Sequence, residues 1–407
     1  MVALIVASSW LVLGLPDLET ASTVSPKALD AIATRAFAIV AGLGGVALLV
    51  IAYQRQSGEA TRLFTERFTT AVAQLGEGQS AVRLGGVHAL AHLADDAPTP
   101  GLRQMCVDVL CAYLRSPDPE DLPQGSTSEQ QQAHHERVIE HTAMREVRLT
   151  VMRTISERLR APTPWRDCNY DFTGVTFERA LDLRGAVCRG RMAFSYATFA
   201  HTAVFQDAVF AADTHFHRAS FEGHTDFQRA TFKRHTDFRS VSFASVANFQ
   251  NAAFVADAYF HRATFADDVS FWTATFSADA RFWSATFAGD AGFRGTKFGD
   301  YADFRYATFA AEAHFWGATF ANFANFTSTS FSSDSTFRNA TFDGGADFQG
   351  TTGAQNAARG VCPKGLLMIA EASDGRVRLP RWWTRPGRVR LKNPQSPQEP
   401  KGTLPPR

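Results

Sequence analysis

The sequence is poor in the features that mark metal-binding and catalytic proteins. It holds only five cysteines, Cys106, Cys111, Cys168, Cys188 and Cys362, and they lack the paired spacing of a zinc site. An odd number of cysteines without a disulfide framework indicates a reducing compartment. There is no nucleotide-binding glycine loop, and no serine or cysteine nucleophile stands in a known turn motif. These absences favour a protein that is not an enzyme and uses no cofactor or metal.

No charge of one sign dominates the chain, whose formal net charge is +1. This balance gives no overall indication of a nucleic-acid partner. The charge is unevenly placed, however. Residues 168–350 carry 15 Lys/Arg against 19 Asp/Glu, whereas residues 351–407 carry 11 against 3.

Two groups of histidines are candidate metal ligands. His88 and His92 lie four residues apart on one face of a predicted helix, without the glutamate of an HExxH motif. A second group lies in a polar stretch and consists of His134, His135, Glu136, Glu140 and His141. Neither spacing is typical of a metal site, so we interpret both groups as solvated surface.

What the sequence has in abundance is a phenylalanine repeat. From Phe172 to Phe348 the spacing alternates between five and six residues and defines 33 positions, all phenylalanine except Leu183 and Cys188. A small residue stands two places before most of them, as Ala263 does before Phe265. Internal repeats of this kind are read before local secondary structure, because they determine the architecture.

The spacing excludes a regular helix and a regular strand. At about 100° per residue, steps of five and six would scatter the phenylalanines around a helix. In a strand, the odd step of five would place neighbours on opposite faces. A chain that turns a corner at every unit directs each phenylalanine towards one axis, which describes a square solenoid. With four units in 22 residues, about eight coils follow.

This pattern resembles the pentapeptide-repeat family, in units such as Ala197-Thr198-Phe199 and Ala230-Thr231-Phe232. The resemblance covers about residues 168–350 and implies a mainly β fold, a right-handed quadrilateral β-helix over residues 165–350. It differs from the simple pattern by one extra residue in every second unit. The longer units therefore fall on opposite sides of the square.

Two long uncharged segments precede the repeats. Residues 36–53 form 18 uncharged residues, enough to span a bilayer, and residues 1–16 are apolar but barely long enough. We therefore predict two transmembrane helices within residues 1–56, against the alternative of one buried soluble helix. The basic residues Arg55, Arg62 and Arg67 follow the second segment and favour a cytoplasmic body at the plasma membrane.

Residues 57–161 are predicted to form an α-helical linker domain of HEAT-like type. Helices are expected from Thr61 to Leu75, from Ser80 as a cap to about Ala94, from Thr99-Pro100 to about Leu114, and from Glu146 to Leu159, with a polar loop over residues 116–133. The order of the segments ERFTTAVAQLG, VRLGGVHALAHLAD and CVDVLCAYLR after the apolar run resembles membrane-anchored pentapeptide-repeat proteins of actinobacteria. That resemblance implies architecture and location rather than an activity.

The residues that follow the phenylalanines of the longer units form the most distinctive outward pattern. They place large side chains on two opposite faces, and the candidate interaction stripe consists of Trp272, Trp283, Arg294, Arg305, Trp316 and Arg338. Tryptophan and arginine are frequent interface anchors, and Trp272, Arg294 and Trp316 are expected to stack as cation–π pairs. The alternatives are a rod that merely covers itself with these side chains and, less favoured, a nucleic-acid surface.

The segment after the repeats, residues 351–407, is predicted to contain a cap and a basic, partly disordered tail. Its candidate anionic-surface residues are Arg381, Trp382, Trp383, Arg385, Arg388 and Arg390. Such a segment can lie on an anionic leaflet or can simply keep the chain soluble.

Two functional hypotheses follow. The first is a membrane-anchored, non-catalytic scaffold whose partners are the lipid bilayer and a protein bound by the solenoid or the helical domain. The alternative is a DNA mimic that inhibits a topoisomerase, as the resemblance to pentapeptide-repeat proteins implies. A net charge of −4 over the repeats argues against that alternative. Nucleic acid is not expected as a ligand of the rod.

Overall fold

The structure, a computed structural model, describes residues 59–115 and 128–353. The two membrane helices predicted within residues 1–56 and the basic tail lie outside these ranges. Within them, no helix is both long enough and apolar enough to cross a bilayer.

Four helices precede the repeats: α1 over residues 59–75, α2 Ser80–Asp95, α3 Pro100–Tyr113 and α4 Ser128–Arg160. The N-cap of α3 is Thr99, whose hydroxyl accepts a hydrogen bond from the Leu102 amide at 3.3 Å, as the sequence predicts. Two predictions need correction. The N-cap of α2 is Gln79 rather than Ser80. The polar stretch from Ser128 is helical, because its Glu, Gln, Ala and Arg residues favour helix although they are not apolar.

The repeats form a rod with four parallel sheets, which we call faces 1 to 4. The strands of face 1 are β1 Tyr170–Asp171, β5 Met192–Ala193, β9 Thr214–His215, β13 Thr236–Asp237, β17 Ala258–Tyr259, β21 Ala280–Arg281, β25 Ala302–Asp303, β29 Ala324–Asn325 and β33 Ala346–Asp347. The strands of face 2 are β2 Thr176–Phe177, β6 Thr198–Phe199, β10 Ser220–Phe221, β14 Ser242–Phe243, β18 Thr264–Phe265, β22 Thr286–Phe287, β26 Thr308–Phe309, β30 Ser330–Phe331 and β34 Thr352–Gly353.

The strands of face 3 are β3 Leu181–Asp182, β7 Ala203–Val204, β11 Thr225–Asp226, β15 Ala247–Asn248, β19 Val269–Ser270, β23 Ala291–Gly292, β27 Ala313–His314 and β31 Ser335–Thr336. The strands of face 4 are β4 Val187–Cys188, β8 Val209–Phe210, β12 Thr231–Phe232, β16 Ala253–Phe254, β20 Thr275–Phe276, β24 Lys297–Phe298, β28 Thr319–Phe320 and β32 Thr341–Phe342. One strand from each face makes one coil, so the prediction of about eight coils in a mainly β solenoid is confirmed.

Stacked phenylalanines fill the rod. Rings in the same column of successive coils lie between 4.3 Å apart, as for Phe199 and Phe221, and 5.2 Å apart, as for Phe276 and Phe298. These phenylalanines are almost fully buried through the middle of the rod. Each contributes about 2–3 kcal/mol of burial, and the offset and edge contacts add to that.

The turns after the phenylalanines of faces 1 and 3 are sharp. After Phe260, for example, the Ala263 amide donates to the Phe260 carbonyl at 3.1 Å, and Arg262 has a φ of 56°. A positive φ is costly for residues other than glycine. The Arg262 amide also donates to the Trp283 carbonyl of the next coil at 2.9 Å, which helps to hold the turn. These turns place the residues after each phenylalanine of faces 1 and 3 on the outside.

The helices cover the first coil, which is what a repeat rod needs at its end. Arg148 of α4 donates to the Thr176 carbonyl at 2.7 Å, and Arg160 donates to the Asp182 carbonyl at 2.6 Å. Trp165 is fully buried between the two parts, and its indole N–H donates to Asp95 at 2.7 Å. Among the described residues, the helical domain and the coils thus share one continuous core.

The cysteines at this junction are buried and free. Burial raises the pKa of the Cys106 thiol to about 12 and that of Cys168 to about 11. Raised values suit structural thiols rather than nucleophiles. Cys188 occupies a phenylalanine position of the repeat and is fully buried, as its place in the sequence predicts.

Candidate interaction face of the rod

The six residues of the candidate stripe lie on two opposite faces. Face 3 carries Trp272, Arg294, Trp316 and Arg338 after its phenylalanines, and face 1 carries Trp283 and Arg305. On faces 2 and 4 the corresponding places are mostly small, as Ala244, Ala266 and Ala288 are on face 2. The placement agrees with the predicted pattern, but the surroundings of the large side chains differ between faces 1 and 3.

On face 3 the large side chains border an open groove. The Arg294 guanidinium carbon lies 4.1 Å from the ring centroid of Trp316. Trp272 does not complete the predicted cation–π ladder. Its indole lies over Gly292 of the next coil, where an added Cβ would approach the indole nitrogen to 2.3 Å. A glycine at residue 292 is therefore what lets Trp272 lie flat on this face.

We call this feature the Trp–Arg groove. It has a volume of about 430 Å³ and is lined by Gln250, Trp272, Thr273, Arg294, Gly295, Trp316 and Gly317. The side of the groove is open because Gly295 and Gly317 fill two turn positions without a side chain. Trp272 remains 43% exposed and Trp316 40% exposed. Among the described residues, Arg294 has no carboxylate partner. The groove therefore presents aromatic surface and an unneutralised cation.

On face 1, Arg239, Arg281 and Arg305 are neutralised within the rod. Arg305 holds Asp303 with two hydrogen bonds of 2.9 and 2.8 Å, and Arg239 holds Asp237 in the same way at 2.9 and 2.7 Å. Burial alone would raise the pKa of Asp237, but the hydrogen bonds from Arg239 outweigh it and lower the pKa. Paired charges of this kind cover the rod and leave little for a partner to recognise.

The tryptophan of face 1 is also engaged by its neighbours. The Arg262 guanidinium carbon lies 5.4 Å from the Trp283 ring centroid, and the His261 ring meets Trp283 edge-on at 6.0 Å. Trp283 is half-buried, whereas Trp272 and Trp316 are exposed. The interpretation of the stripe as a mere covering therefore fits face 1, and the interpretation as an interface fits face 3.

Face 1 has a consequence for stability at low pH. Burial lowers the pKa of His215 and of His261, which lie among Asp237, Arg239, Arg281 and Asp303. Below pH 6.5 the unfolded chain therefore binds protons that the folded chain does not bind, so stability falls as the pH falls towards the lowered pKa values.

We expect the melting temperature to fall between pH 7 and pH 5, and to fall less in the variant His215→Gln/His261→Gln. Thermal unfolding followed by circular dichroism measures this. A His201→Gln variant is the control, since His201 is exposed in the bend between β6 and β7. An equal fall in all three proteins would contradict the assignment of the pH dependence to His215 and His261.

One edge of face 3 carries a column of carboxylates that sequence reasoning missed. Asp268, Asp290, Glu312 and Asp334 stand 22 residues apart, one in each of four successive coils, and we call them the acidic edge. The Asp290 amide donates to Asp268 at 2.8 Å, and the Glu312 amide donates to Asp290 at 3.0 Å. The 22-residue spacing could have revealed the acidic edge in the sequence, because every residue three places before a face 3 phenylalanine falls in this column.

Within the described residues, one group has the side chains to hold a metal ion. Ligand atoms of Asp290, Glu312 and His314 lie within 4.8 Å of one another. His314 is already 3.2 Å from Glu312 and forms an ion pair with it when protonated. His88 and His92 lie exposed on α2. The side chains of the group from His134 to His141 lie outside the described part of the chain, as do Arg381, Trp382, Trp383, Arg385, Arg388 and Arg390.

The fold and its repeat define the class of protein: a right-angled β-solenoid with short parallel strands on four faces. The family model described as pentapeptide repeats (9 copies) matches residues 172–220, 216–264 and 227–275. The rod is therefore a pentapeptide-repeat domain, with phenylalanine-rich repeats. No curated protein and no solved structure matches the chain.

Proposed function

We propose that the chain is a non-catalytic interaction scaffold whose rod recognises a protein partner through the Trp–Arg groove. The observation that carries the proposal is the contrast between the two faces. On face 1, Arg239 and Arg305 hold carboxylates, and Arg262 covers Trp283. On face 3, Arg294 has no carboxylate partner among the described residues, and two tryptophans remain exposed. Buried tryptophan and arginine anchors contribute most to binding at protein interfaces.

The side chains of the groove indicate which chemical groups a partner would present to it. Two indole surfaces favour apolar or planar groups, and the Arg294 guanidinium favours a carboxylate nearby. The Gln206, Gln228 and Gln250 side chains continue the face as a ladder, with amide contacts of 3.5 and 3.4 Å. A partner that extends along the rod axis can therefore follow polar groups beyond the groove.

Matched variants of the two faces test this proposal. The face 3 variant is Trp272→Ala/Arg294→Ala/Trp316→Ala, and its control is the face 1 variant Tyr259→Ala/Arg281→Ala/Trp283→Ala. We expect a partner cross-linked to the full chain in native cells to be lost from the face 3 variant and kept by the face 1 variant. Retention by the face 3 variant, or equal loss from both, would contradict the proposal.

We further propose that residues 1–56 anchor the scaffold in the plasma membrane, with the rod on the cytoplasmic side. The support is the length of the uncharged segments and the arginines that follow the second one. Membrane fractionation after a high-salt wash tests it. The full chain should stay with the membranes, and a chain found in the soluble fraction would rule the anchor out.

The DNA-mimic alternative remains less favoured. A mimic needs a continuous anionic surface, yet three carboxylates at face 1, those of Asp237, Asp279 and Asp303, are paired with arginines. The acidic edge is a single column beside the cationic Trp–Arg groove. Inhibition of DNA gyrase by the full chain would revive this alternative.

A further inference from the structure

The spacing of the two tryptophans in the Trp–Arg groove matches a particular backbone conformation. Trp272 and Trp316 follow Phe271 and Phe315 directly, two coils apart. Ring centroids of Phe271 and Phe293 are 5.1 Å apart, and those of Phe293 and Phe315 are 4.8 Å apart. The two tryptophan positions are therefore separated by about 10 Å along the rod, since strands repeat at about 4.8 Å. A polyproline II helix repeats every three residues, or about 9.3 Å.

The chain itself contains a segment with this period. Residues 394–400 read PQSPQEP, so Pro394, Pro397 and Pro400 recur at every third position. In a polyproline II helix, these three rings would lie along one face. Proline-rich segments with that period dock into aromatic grooves at low entropic cost, because their conformation is largely preformed.

We propose that this proline repeat, residues 394–400 of the same chain, occupies the Trp–Arg groove. Two successive prolines lie on Trp272 and Trp316, and Glu399 provides the carboxylate that Arg294 lacks. The inference rests on the proposed function, because it takes the groove to be a recognition surface. It adds that the tail competes with the partner for that surface.

Charge favours this occupant over an unrelated proline-rich segment. The tail before the repeat is basic, with Arg376, Arg378, Arg381, Arg385, Arg388, Arg390 and Lys392, and Lys401 follows it. The acidic edge lies along the same face of the rod, and all four of its residues are exposed. Attraction between the basic residues of the tail and the carboxylates of the acidic edge adds affinity and orients the tail along face 3.

The length of the chain also allows the contact. The last described strand ends at Gly353, 41 residues before Pro394. A random coil of that length spans about 35 Å on average. From the coil of Gly353 to that of Trp272 is about four coil repeats, or about 19 Å at the strand spacing. The groove is within reach without stretching the chain.

Hydroxyl-radical footprinting of the full chain, with oxidation read by mass spectrometry, tests the inference. The variant is Pro394→Ala/Pro397→Ala/Pro400→Ala, and the control replaces three prolines outside the repeat, Pro380→Ala/Pro386→Ala/Pro405→Ala. A tethered segment has a millimolar effective concentration, so a contact with a dissociation constant of about half that concentration occupies the groove about two-thirds of the time. For a contact of that strength, oxidation of Trp272 and Trp316 should rise about threefold in the variant. Oxidation of Trp283 should not change in the variant. In the control protein, oxidation of Trp272 and Trp316 should equal that in the natural chain.

Two further measurements identify the occupant. A synthetic peptide of residues 392–401, added to the variant, should restore protection of Trp272 and Trp316. Carbodiimide coupling of Lys392 or Lys401 to Glu312 in a mixture of light and ¹⁵N-labelled chains should give products within one chain. Products that join light and heavy chains would overturn the intramolecular assignment in favour of a second copy.

The outcomes separate this inference from the proposed function. Unchanged oxidation of Trp272 and Trp316 in the variant would overturn the tail contact, even if a partner is still lost from the face 3 variant. Conversely, a tail-dependent footprint without any captured partner would support the contact and contradict the scaffold function. If both hold, the variant should capture more partner than the natural chain does.

Discussion

Replacing Phe260 by alanine is expected to lower the free energy of unfolding by about 3–5 kcal/mol. Phe260 is fully buried in the middle of the rod, stacked on Phe238 and Phe282 at 4.8 Å each and edge-on to Phe271 at 5.6 Å. Because neighbouring coils stabilise one another in a repeat rod, the cavity weakens the coils on both sides. Urea unfolding of the full chain, followed by circular dichroism, gives the change.

The matched control for this prediction is Thr264→Ala. Thr264 belongs to the next unit of the same coil, and its side chain points outwards and is exposed. We expect a change within about 0.5 kcal/mol for the control. A loss of less than about 1 kcal/mol for Phe260→Ala would mean that the phenylalanine columns are not the core of this rod.

The second large effect is expected at Gly86, where α2 crosses α1. A Cβ at this position would lie 2.6 Å from the Leu75 amide nitrogen and 2.9 Å from the Ala71 carbonyl oxygen. Both are backbone atoms, which cannot turn aside as a flexible side chain can. Gly86→Ala should therefore force the helices apart and cost about 1–3 kcal/mol, in spite of the better helix propensity of alanine.

The adjacent glycine provides the control. Gly85 lies in the same helix and is exposed, and an added Cβ would meet nothing within 4 Å. Gly85→Ala should stabilise the chain by about 0.5–1 kcal/mol, because only the helix propensity changes. Opposite signs for the two variants in thermal unfolding are the expected result, and equal signs would contradict the close crossing of α1 and α2.

The rod was predictable because its period leaves few alternatives. A five–six alternation cannot place Phe260, Phe265 and Phe271 on one side of a helix or a strand, and only a chain that turns at each unit buries all three. The extra residue in every second unit also predicts which side chains share a face. The cap of α3 at Thr99 was predictable for a similar reason, since a threonine followed by proline has a defined place at a helix start.

Other features of the structure depend on side-chain contacts that the spacing of residues in the sequence does not show. The length of α4 was underestimated because the polar residues after Ser128 were interpreted as a loop. The difference between faces 1 and 3 depends on which residue stands one position before the phenylalanine. Asp303 pairs with Arg305 on face 1, whereas Gly292 leaves room for the Trp272 indole on face 3. Residue type in the sequence therefore located the Trp–Arg groove, but it did not show which side chains contact one another there.

The most direct test of the central claim, that face 3 and not face 1 is the recognition surface, is photo-cross-linking from within the rod. Benzoylphenylalanine is introduced in place of Trp316 in one protein and in place of Trp283 in another, and both are irradiated in native cells. We expect a discrete adduct, with a partner or with the chain's own tail, from position 316 and none from position 283. Equal adducts from both positions, or an adduct from position 283 alone, would contradict the account.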